Sequence, residues 1–114
     1  MIHSMNLHNA PFEMMEKGLK TYELRLFDEK RQLIKAGDEI IFTNAADNTK
    51  TLHAQVIAIH LFPDFAALYA TLPLDKCGYL PEEIPTASPQ DMNIYYTWEK
   101  QAQYGVVAIE IKVI

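Results

Sequence analysis

The sequence predicts a single α+β domain in which short helices are inserted between the strands of a small mixed sheet. Segments in which every second residue is apolar, a pattern typical of strands, are separated by segments with helical spacing. These segments do not follow the regular strand–helix–strand alternation of a parallel sheet. The chain has 114 residues, of which 49% are hydrophobic, so it can bury one continuous core. We therefore expect one domain over residues 1–114.

The N-terminal part of the chain predicts a strand followed by a short helix. Residues 2–7 fit the strand, and Asn9 is a suitable cap for a helix that extends through residue 15. Gly18 then fits the left-handed position that commonly follows the last turn of a helix. The helix is therefore expected to end just before the next strand.

The stretch Gly-Leu-Lys-Thr-Tyr-Glu-Leu-Arg at residues 18–25 is the most informative part of the chain. Alternation predicts a strand whose inward side chains are Tyr22, Leu24 and Leu26. Glu23 and Arg25 share the opposite face, about 6.6 Å apart along the strand, so together they can hold two groups of one small ligand. Lys20, in the preceding turn, can reach the same place. The alternative is a solvated ion pair that contributes about 0 to 1 kcal/mol.

The middle of the chain predicts a hairpin. Residues 28–35 are polar and have room for one helical turn, and Gly37-Asp38 marks a tight bend before a strand at 39–43. Residues 44–48 are predicted to form the hairpin loop. The returning strand at 51–61 is apolar on both faces, which favours a central strand covered on both sides.

The chain after the hairpin predicts a short helix and then a long connection. Asp64 is a candidate cap for a helix with an apolar stripe over residues 65–72. Residues 74–90 contain Gly78 and several prolines, so we expect an irregular connection there, the segment of the chain best suited to be mobile.

The C-terminal part predicts two more helices and a last strand. Ser88-Pro89 places a cap and a first-turn proline ahead of a helix through Tyr96. Thr97 can cap a second short helix that stops at Gly105. Alternation over residues 107–113 then predicts a half-buried strand.

The motif GxKxxExR, followed by Gly37-Asp38 and an apolar strand, resembles the ASCH domain of the PUA-like superfold. The N-terminal strand and short helix before the motif, and the ending from Tyr95-Tyr96 to residues 104–107 before a last strand, are similar to that family as well. The resemblance therefore covers nearly the whole chain. It implies a small PUA-like mixed β-barrel, which is compatible with the predicted order of elements.

The charge distribution favours a small ligand over long nucleic acid. The net charge is −5, opposite in sign to the surface of a nonspecific nucleic-acid binder. Residues 17–35 nevertheless hold six basic and three acidic residues, a local charge of +3. Such a basic site on an acidic body suits a small anionic group or a short RNA segment and argues against long duplex DNA. The alternative is that these basic residues cluster by chance and form no site.

Several other classes of protein and site are disfavoured. No apolar run spans 18 residues and the N-terminus lacks the pattern of a signal peptide, so we expect a soluble, cytoplasmic protein that does not bind membranes. Cys77 is the single cysteine and the four histidines lack metal-ligand spacing, so no metal is expected. The glycines stand alone, without a nucleotide-binding pattern, and no cofactor is expected. The sequence leaves the oligomeric state open.

Four aromatic residues fall within ten positions near the C-terminus: Tyr95, Tyr96, Trp98 and Tyr104. They can offer a flat surface on which a base stacks, or they can fix the short helices to the sheet. Tyr96 is expected to be the more exposed of the adjacent pair, because Tyr95 lies closer to the apolar face of the predicted helix, which Met92 marks.

The family resemblance implies binding of RNA or of a modified nucleoside. Arg25 would hold a phosphate or a base oxygen, Lys20 would add a point charge, and Glu23 would accept from an exocyclic amine. Tyr96 would stack on the base.

Two alternatives remain. Some small ASCH proteins that this chain resembles are amidohydrolases that remove the acetyl group of N4-acetylcytidine. In that case Lys20 would activate the nucleophile and Glu23 would pass protons to the leaving amine, although those enzymes carry Thr at the place of Glu23. A carboxylate cannot replace that hydroxyl as nucleophile, which ranks binding above hydrolysis. The other alternative is a regulatory or scaffolding protein whose basic patch meets an acidic partner.

Overall fold

A computed structural model describes all 114 residues and confirms the mixed α+β class. The strands are β1 (Ile2–Leu7), β2 (Tyr22–Leu26), β3 (Glu39–Asn44), β4 (Thr51–Phe62) and β5 (Val106–Val113). The α-helices are α1 (Asn9–Glu16), α2 (Phe65–Thr71) and α3 (Trp98–Tyr104). Short 3-10 turns lie at Arg31–Leu33, Leu74–Lys76, Ile84–Thr86 and Pro89–Met92.

The five strands form one sheet that curls into a half-barrel, in the order β1-β3-β4-β5-β2. The pair β1–β3 is parallel, whereas the three other pairs are antiparallel. The first two strands of the chain are therefore the two edges of the curled sheet. The space between those edges holds the candidate site.

Strand β4 occupies the centre of the sheet as predicted, but it is not covered on both faces. A β-bulge places Val56 opposite Ile111 and Ala58 opposite Glu110, so Ile57 is an extra residue. The bulge shifts the alternation, and Ile59 consequently packs with the cluster that contains Val56. Ile57 itself is exposed, so the sequence prediction of a doubly covered strand is wrong for β4.

Strand β5 is the strand that is buried on both faces in its first half. Val107 and Ile109 pack into one apolar cluster with α1, whereas Val106 and Ala108 pack into a second cluster with α2. The half-buried character predicted for this strand holds only beyond Ile109. The difference arises because α2 covers a face that the alternation alone would leave to solvent.

Of the four predicted helix starts, two are confirmed. The prediction that Asn9 caps α1 is wrong, because α1 begins at Asn9 itself, with His8 in the cap position and no side-chain cap hydrogen bond. The side chain of Asp64 accepts from the backbone N–H of Ala67 at the start of α2, and Thr97 caps α3 in the same way. Ser88 also caps a helical turn, but this 3-10 turn ends at Met92 instead of continuing as a helix to Tyr96. No helix is both long enough and apolar enough to cross a membrane.

The connection over residues 74–90 consists of turns, two short 3-10 segments and the start of a third. It is irregular, as predicted. It is fixed to the sheet near its start, where the N–H of Thr21 donates to the carbonyl of Lys76 at 2.9 Å. Its mobility stays a prediction.

Replacing Gly105 with alanine is expected to destabilise the fold. Gly105 has φ +71°, and a Cβ there would lie 3.1 Å from the carbonyl oxygen of Phe62. We expect a loss of about 1 to 3 kcal/mol in the free energy of unfolding, measured by urea denaturation. Gly37→Ala is the control, since Gly37 also has positive φ but open space around it. Equal losses in the two variants would contradict a steric contribution at Gly105.

Candidate functional site

The structure brings Lys20, Glu23 and Arg25 together in one buried ion cluster. The Nζ of Lys20 lies 3.2 Å from Oε1 of Glu23. The other carboxylate oxygen accepts from Nε of Arg25 at 2.9 Å and lies 2.8 Å from its Nη2. Lys20 and Glu23 are each only 5% exposed. The alternative of a solvated ion pair on a strand face is therefore wrong for these residues.

Lys20 has all three of its ammonium protons engaged. Besides Glu23, Nζ donates to the backbone carbonyls of Tyr22 at 2.8 Å and of Cys77 at 3.1 Å. An ammonium has three donors and no acceptor, so Lys20 has no proton left for a ligand in this arrangement. It joins β2 to the connection that follows α2.

Arg25 joins the two edges of the half-barrel. While it pairs with Glu23 within β2, its Nη2 donates to the backbone carbonyl of Asn6 in β1 at 2.7 Å. Its Nη1 has no hydrogen-bond partner in the protein, and 17% of the side chain is exposed. The guanidinium is thus fixed on one side and free to donate on the other.

Glu23 is held as a carboxylate by its two cationic neighbours. Burial alone would raise the pKa of Glu23, but the charges and hydrogen bonds of Lys20 and Arg25 outweigh burial and hold it below its usual range. For Arg25, burial would lower the pKa, and Glu23 reverses that effect. Glu23 and Arg25 therefore both stay charged near neutral pH.

A cavity of about 560 Å³ lies beside this cluster. Its walls come from the end of β1, from β2 and from the connection between α2 and α3, so it occupies the space between the two sheet edges. Its charged lining consists of Lys20, Arg25, Glu23 and Asp91. Two positive and two negative side chains give a formally neutral cavity, in contrast to the basic site that the sequence pattern predicts.

The basic cluster of residues 17–35 is partly neutralised in the fold. Lys20 and Arg25 pair with Glu23, and Arg31 pairs with Asp28 at 3.1 Å. Half of the six basic residues are therefore engaged by acidic partners from the same segment. The structure does not present the six charges as one open surface.

Tyr95 and Tyr96 both line the cavity, but their exposures are the reverse of the prediction. Tyr95 is 59% exposed, whereas Tyr96 is half-buried and stacks on Phe65 with ring centroids 5.7 Å apart. The N–H of Tyr96 donates to the carbonyl of Met92, and this turn directs the ring onto the second apolar cluster. The expectation that Tyr96 is the more exposed residue is wrong.

Two polar groups near the cavity are not indicated by any pattern in the sequence. Gln101 is buried, and it accepts from the N–H of Phe65 and donates to Asn93 and to the carbonyl of Tyr96. It therefore fixes the segment that carries the two tyrosines. A glutamine inside a short helix has no pattern that indicates such a role.

The second group is a chain of hydrogen bonds among Tyr69, Tyr79 and Asp91, all of which line the cavity. The two phenol oxygens are 2.6 Å apart, and the hydroxyl of Tyr79 donates to Oδ2 of Asp91 at 2.7 Å. Burial raises the pKa of Tyr79 strongly, and its bonds to Tyr69 and Asp91 raise it further. Sequence spacing assigns Tyr69 only to the apolar stripe of a helix.

The remaining candidate groups lie apart from one another. His3, His53 and His60 each pair with a different carboxylate, of Asp38, Glu39 and Glu110. Cys77 is buried, and burial raises the pKa of its thiol to about 11. The thiol is therefore neutral near pH 7 and poorly suited to act as a nucleophile.

Comparison with known proteins gives one family. The family model described as the ASCH domain matches residues 5–114. The crystal structure of hypothetical protein PH0355 aligns over 100% of both chains, with a TM-score of 0.82 and 31% sequence identity. The solution NMR structure of protein PF0455 from Pyrococcus furiosus covers 100% of this chain and 98% of its own, with a TM-score of 0.74 and 34% identity. No curated protein matches. The chain belongs to the ASCH domain family, as its GxKxxExR motif predicts.

Proposed function

We propose that the cavity binds a single nucleobase, either in a free modified nucleoside or as one unpaired base of an RNA. The observation that carries this proposal is the state of Arg25, which Glu23 and Asn6 hold in place while Nη1 is left without a partner beside a cavity. The ASCH domain has a PUA-like fold that is generally linked to RNA binding, which agrees with this assignment.

The size and charge of the cavity support a base as the ligand. Sites for small molecules commonly measure about 300 to 1,000 Å³, and this cavity measures about 560 Å³. Its formally neutral lining suits an uncharged base with hydrogen-bonding edges better than a phosphate group. A base inside a duplex would have to leave its stack before it could enter, which disfavours duplex DNA and duplex RNA.

Each predicted site residue has a role in this proposal. Arg25 donates from Nη1 to a carbonyl oxygen or ring nitrogen of the base. Lys20 and Glu23 act as positioning residues, since their hydrogen bonds hold the guanidinium and the neighbouring connection. Tyr96 forms an apolar wall, and the exposed ring of Tyr95 can stack on the base.

Hydrolysis of an N-acylated nucleoside is the second candidate, with Lys20 and Glu23 as catalytic residues. The contacts of both residues disfavour it. A general base needs a free lone pair, but all three protons of Lys20 are engaged, and the lowered pKa of Glu23 makes it a weak proton acceptor. Incubation with N4-acetylcytidine, followed by chromatography, tests this candidate. Acetate release that is lost in Lys20→Ala and Glu23→Ala, in samples whose fold is verified by circular dichroism, would establish the enzyme.

Isothermal titration calorimetry with three classes of ligand tests the binding proposal. The first class is a panel of unmodified and modified nucleosides, the second is a short unpaired RNA, and the third is the same RNA in a duplex. We expect binding by the first or the second class and little binding by the duplex. Binding by nucleosides alone would indicate a free ligand, whereas binding by the unpaired RNA alone would indicate recognition within a strand. Absence of binding by both classes would refute the proposal.

Replacing Tyr95 with alanine is expected to weaken this binding about tenfold or more, because stacking of a base on an aromatic ring contributes roughly 1 to 3 kcal/mol. The folded state should be unaffected, since most of the ring is exposed. Trp98→Ala is the matched control, because Trp98 is 56% exposed and does not line the cavity. Calorimetric titration of both variants measures the effect. Equal affinities in the two variants would exclude stacking on Tyr95.

A further inference from the structure

Tyr69, Tyr79 and Asp91 form one wall of the cavity, and a count of protons shows what that wall can offer a ligand. The hydroxyl of Tyr79 has one proton, which points to Oδ2 of Asp91 at 2.7 Å. A hydrogen bond to a charged carboxylate is stronger than one to a neutral phenol, so this direction is favoured. Consequently Tyr69 must be the donor in the 2.6 Å bond between the two phenols.

Both hydroxyl protons of this wall are therefore used inside the protein. Burial raises the pKa of Tyr69 and of Tyr79, so both phenols stay neutral and keep these protons. Oδ2 of Asp91 also accepts from the N–H of Ser88, whereas Oδ1 has no partner. What remains on this wall are lone pairs of the phenol oxygens and of Oδ1, all of which are acceptors.

Arg25 supplies the complementary group, a hydrogen-bond donor. A guanidinium has donors and no acceptor, and its Nη1 is without a partner in the protein. Glu23 is also an acceptor, but it is only 5% exposed and both of its oxygens are already engaged by Lys20 and Arg25. The cavity thus has a fixed donor at Arg25 and free acceptors on the Tyr69–Tyr79–Asp91 wall.

We propose that the cavity selects bases that carry an N–H donor beside an acceptor, with the N–H directed to the Tyr69–Tyr79–Asp91 wall and the acceptor directed to Arg25. This inference rests on the proposed function, because it concerns the same cavity. An exocyclic amine would then contact this wall, whereas the family resemblance implies that it contacts Glu23. A base whose N–H groups are fully alkylated would leave the acceptors unpaired and would therefore bind weakly.

Paired nucleosides test the selection on the ligand side. Calorimetry would compare cytidine with N4-methylcytidine and N4,N4-dimethylcytidine, and adenosine with its N6-methyl and N6,N6-dimethyl forms. We expect the dimethyl forms to bind about tenfold or more weakly than the monomethyl forms, which keep one N–H and carry one of the two added methyl groups. Equal affinity of monomethyl and dimethyl forms would overturn the inference but leave the proposed function intact. Binding by none of these nucleosides, nor by unpaired RNA, would refute both.

A variant tests the same selection on the protein side. In Asp91→Asn the amide oxygen can still accept from Tyr79 and Ser88, but an NH₂ donor replaces the free Oδ1. The preference for monomethyl over dimethyl forms should then shrink to about threefold or less, because an acceptor of the wall has become a donor. Asp75→Asn is the control, since Asp75 is exposed and does not line the cavity. A preference that is unchanged in Asp91→Asn would also overturn the inference.

Discussion

Replacement of Glu23 with alanine is expected to lower the free energy of unfolding by about 3 to 5 kcal/mol, because it leaves two buried cations without their shared partner. Lys20 is almost fully buried and Arg25 is mostly buried, so neither ion can recover its full hydration without a local opening of the fold. Urea denaturation, followed by circular dichroism, measures the loss. A loss of this size is a large share of the stability of a small domain.

Glu39→Ala is the matched control for this experiment. Glu39 also pairs with a basic side chain, His53 at 3.2 Å, but both partners are well exposed. Exposed ion pairs contribute about 0 to 1 kcal/mol, so the control should lose little. Similar small losses in the two variants would contradict a tightly coupled buried cluster around Glu23.

Replacement of Arg25 with lysine is expected to weaken nucleoside or unpaired-RNA binding about 10- to 150-fold, since a hydrogen bond to a charged group contributes roughly 1.5 to 3 kcal/mol. Lysine keeps the charge beside Glu23, but it cannot bond Glu23 and Asn6 and still direct a donor to the cavity. Calorimetric titration with the ligand found for the unaltered protein measures the change.

Arg31→Lys is the control for Arg25→Lys. Arg31 is the other arginine of the chain, it pairs with Asp28, and it does not line the cavity. Its replacement should leave ligand affinity within about twofold, because substitutions away from a site change free energies by only about 0.5 kcal/mol. A loss of affinity in both variants would indicate a general electrostatic effect, and unchanged affinity in Arg25→Lys would remove Arg25 from the site.

Most elements of the fold follow from local patterns in the sequence. The caps at Asp64 and Thr97 and the alternation in β2 are short-range signals, and the structure confirms them. The patterns gave wrong predictions where the burial of a strand face depends on distant parts of the chain. The bulge at Ile57 shifts the alternation of β4, and α2 covers a face of β5 that its own sequence would leave open.

The candidate site was predictable only in part for the same reason. The motif places Lys20, Glu23 and Arg25 within six residues, so their proximity follows from the geometry of one turn and one strand. Their burial does not follow, because it depends on β1 and on the connection after α2. The wall of Tyr69, Tyr79 and Asp91 joins a helix to an irregular connection, and no local spacing predicts such a contact.

Binding of a base between the two sheet edges against Arg25 can be observed by NMR. Spectra of the backbone amides and of the arginine Nε–H groups would be recorded during titration with the nucleoside panel or the unpaired RNA. We expect the largest shifts at Arg25, Tyr95 and the Tyr79 segment. Shifts confined to exposed residues outside the cavity, such as Lys30 and Lys35, with Arg25 unchanged, would contradict it.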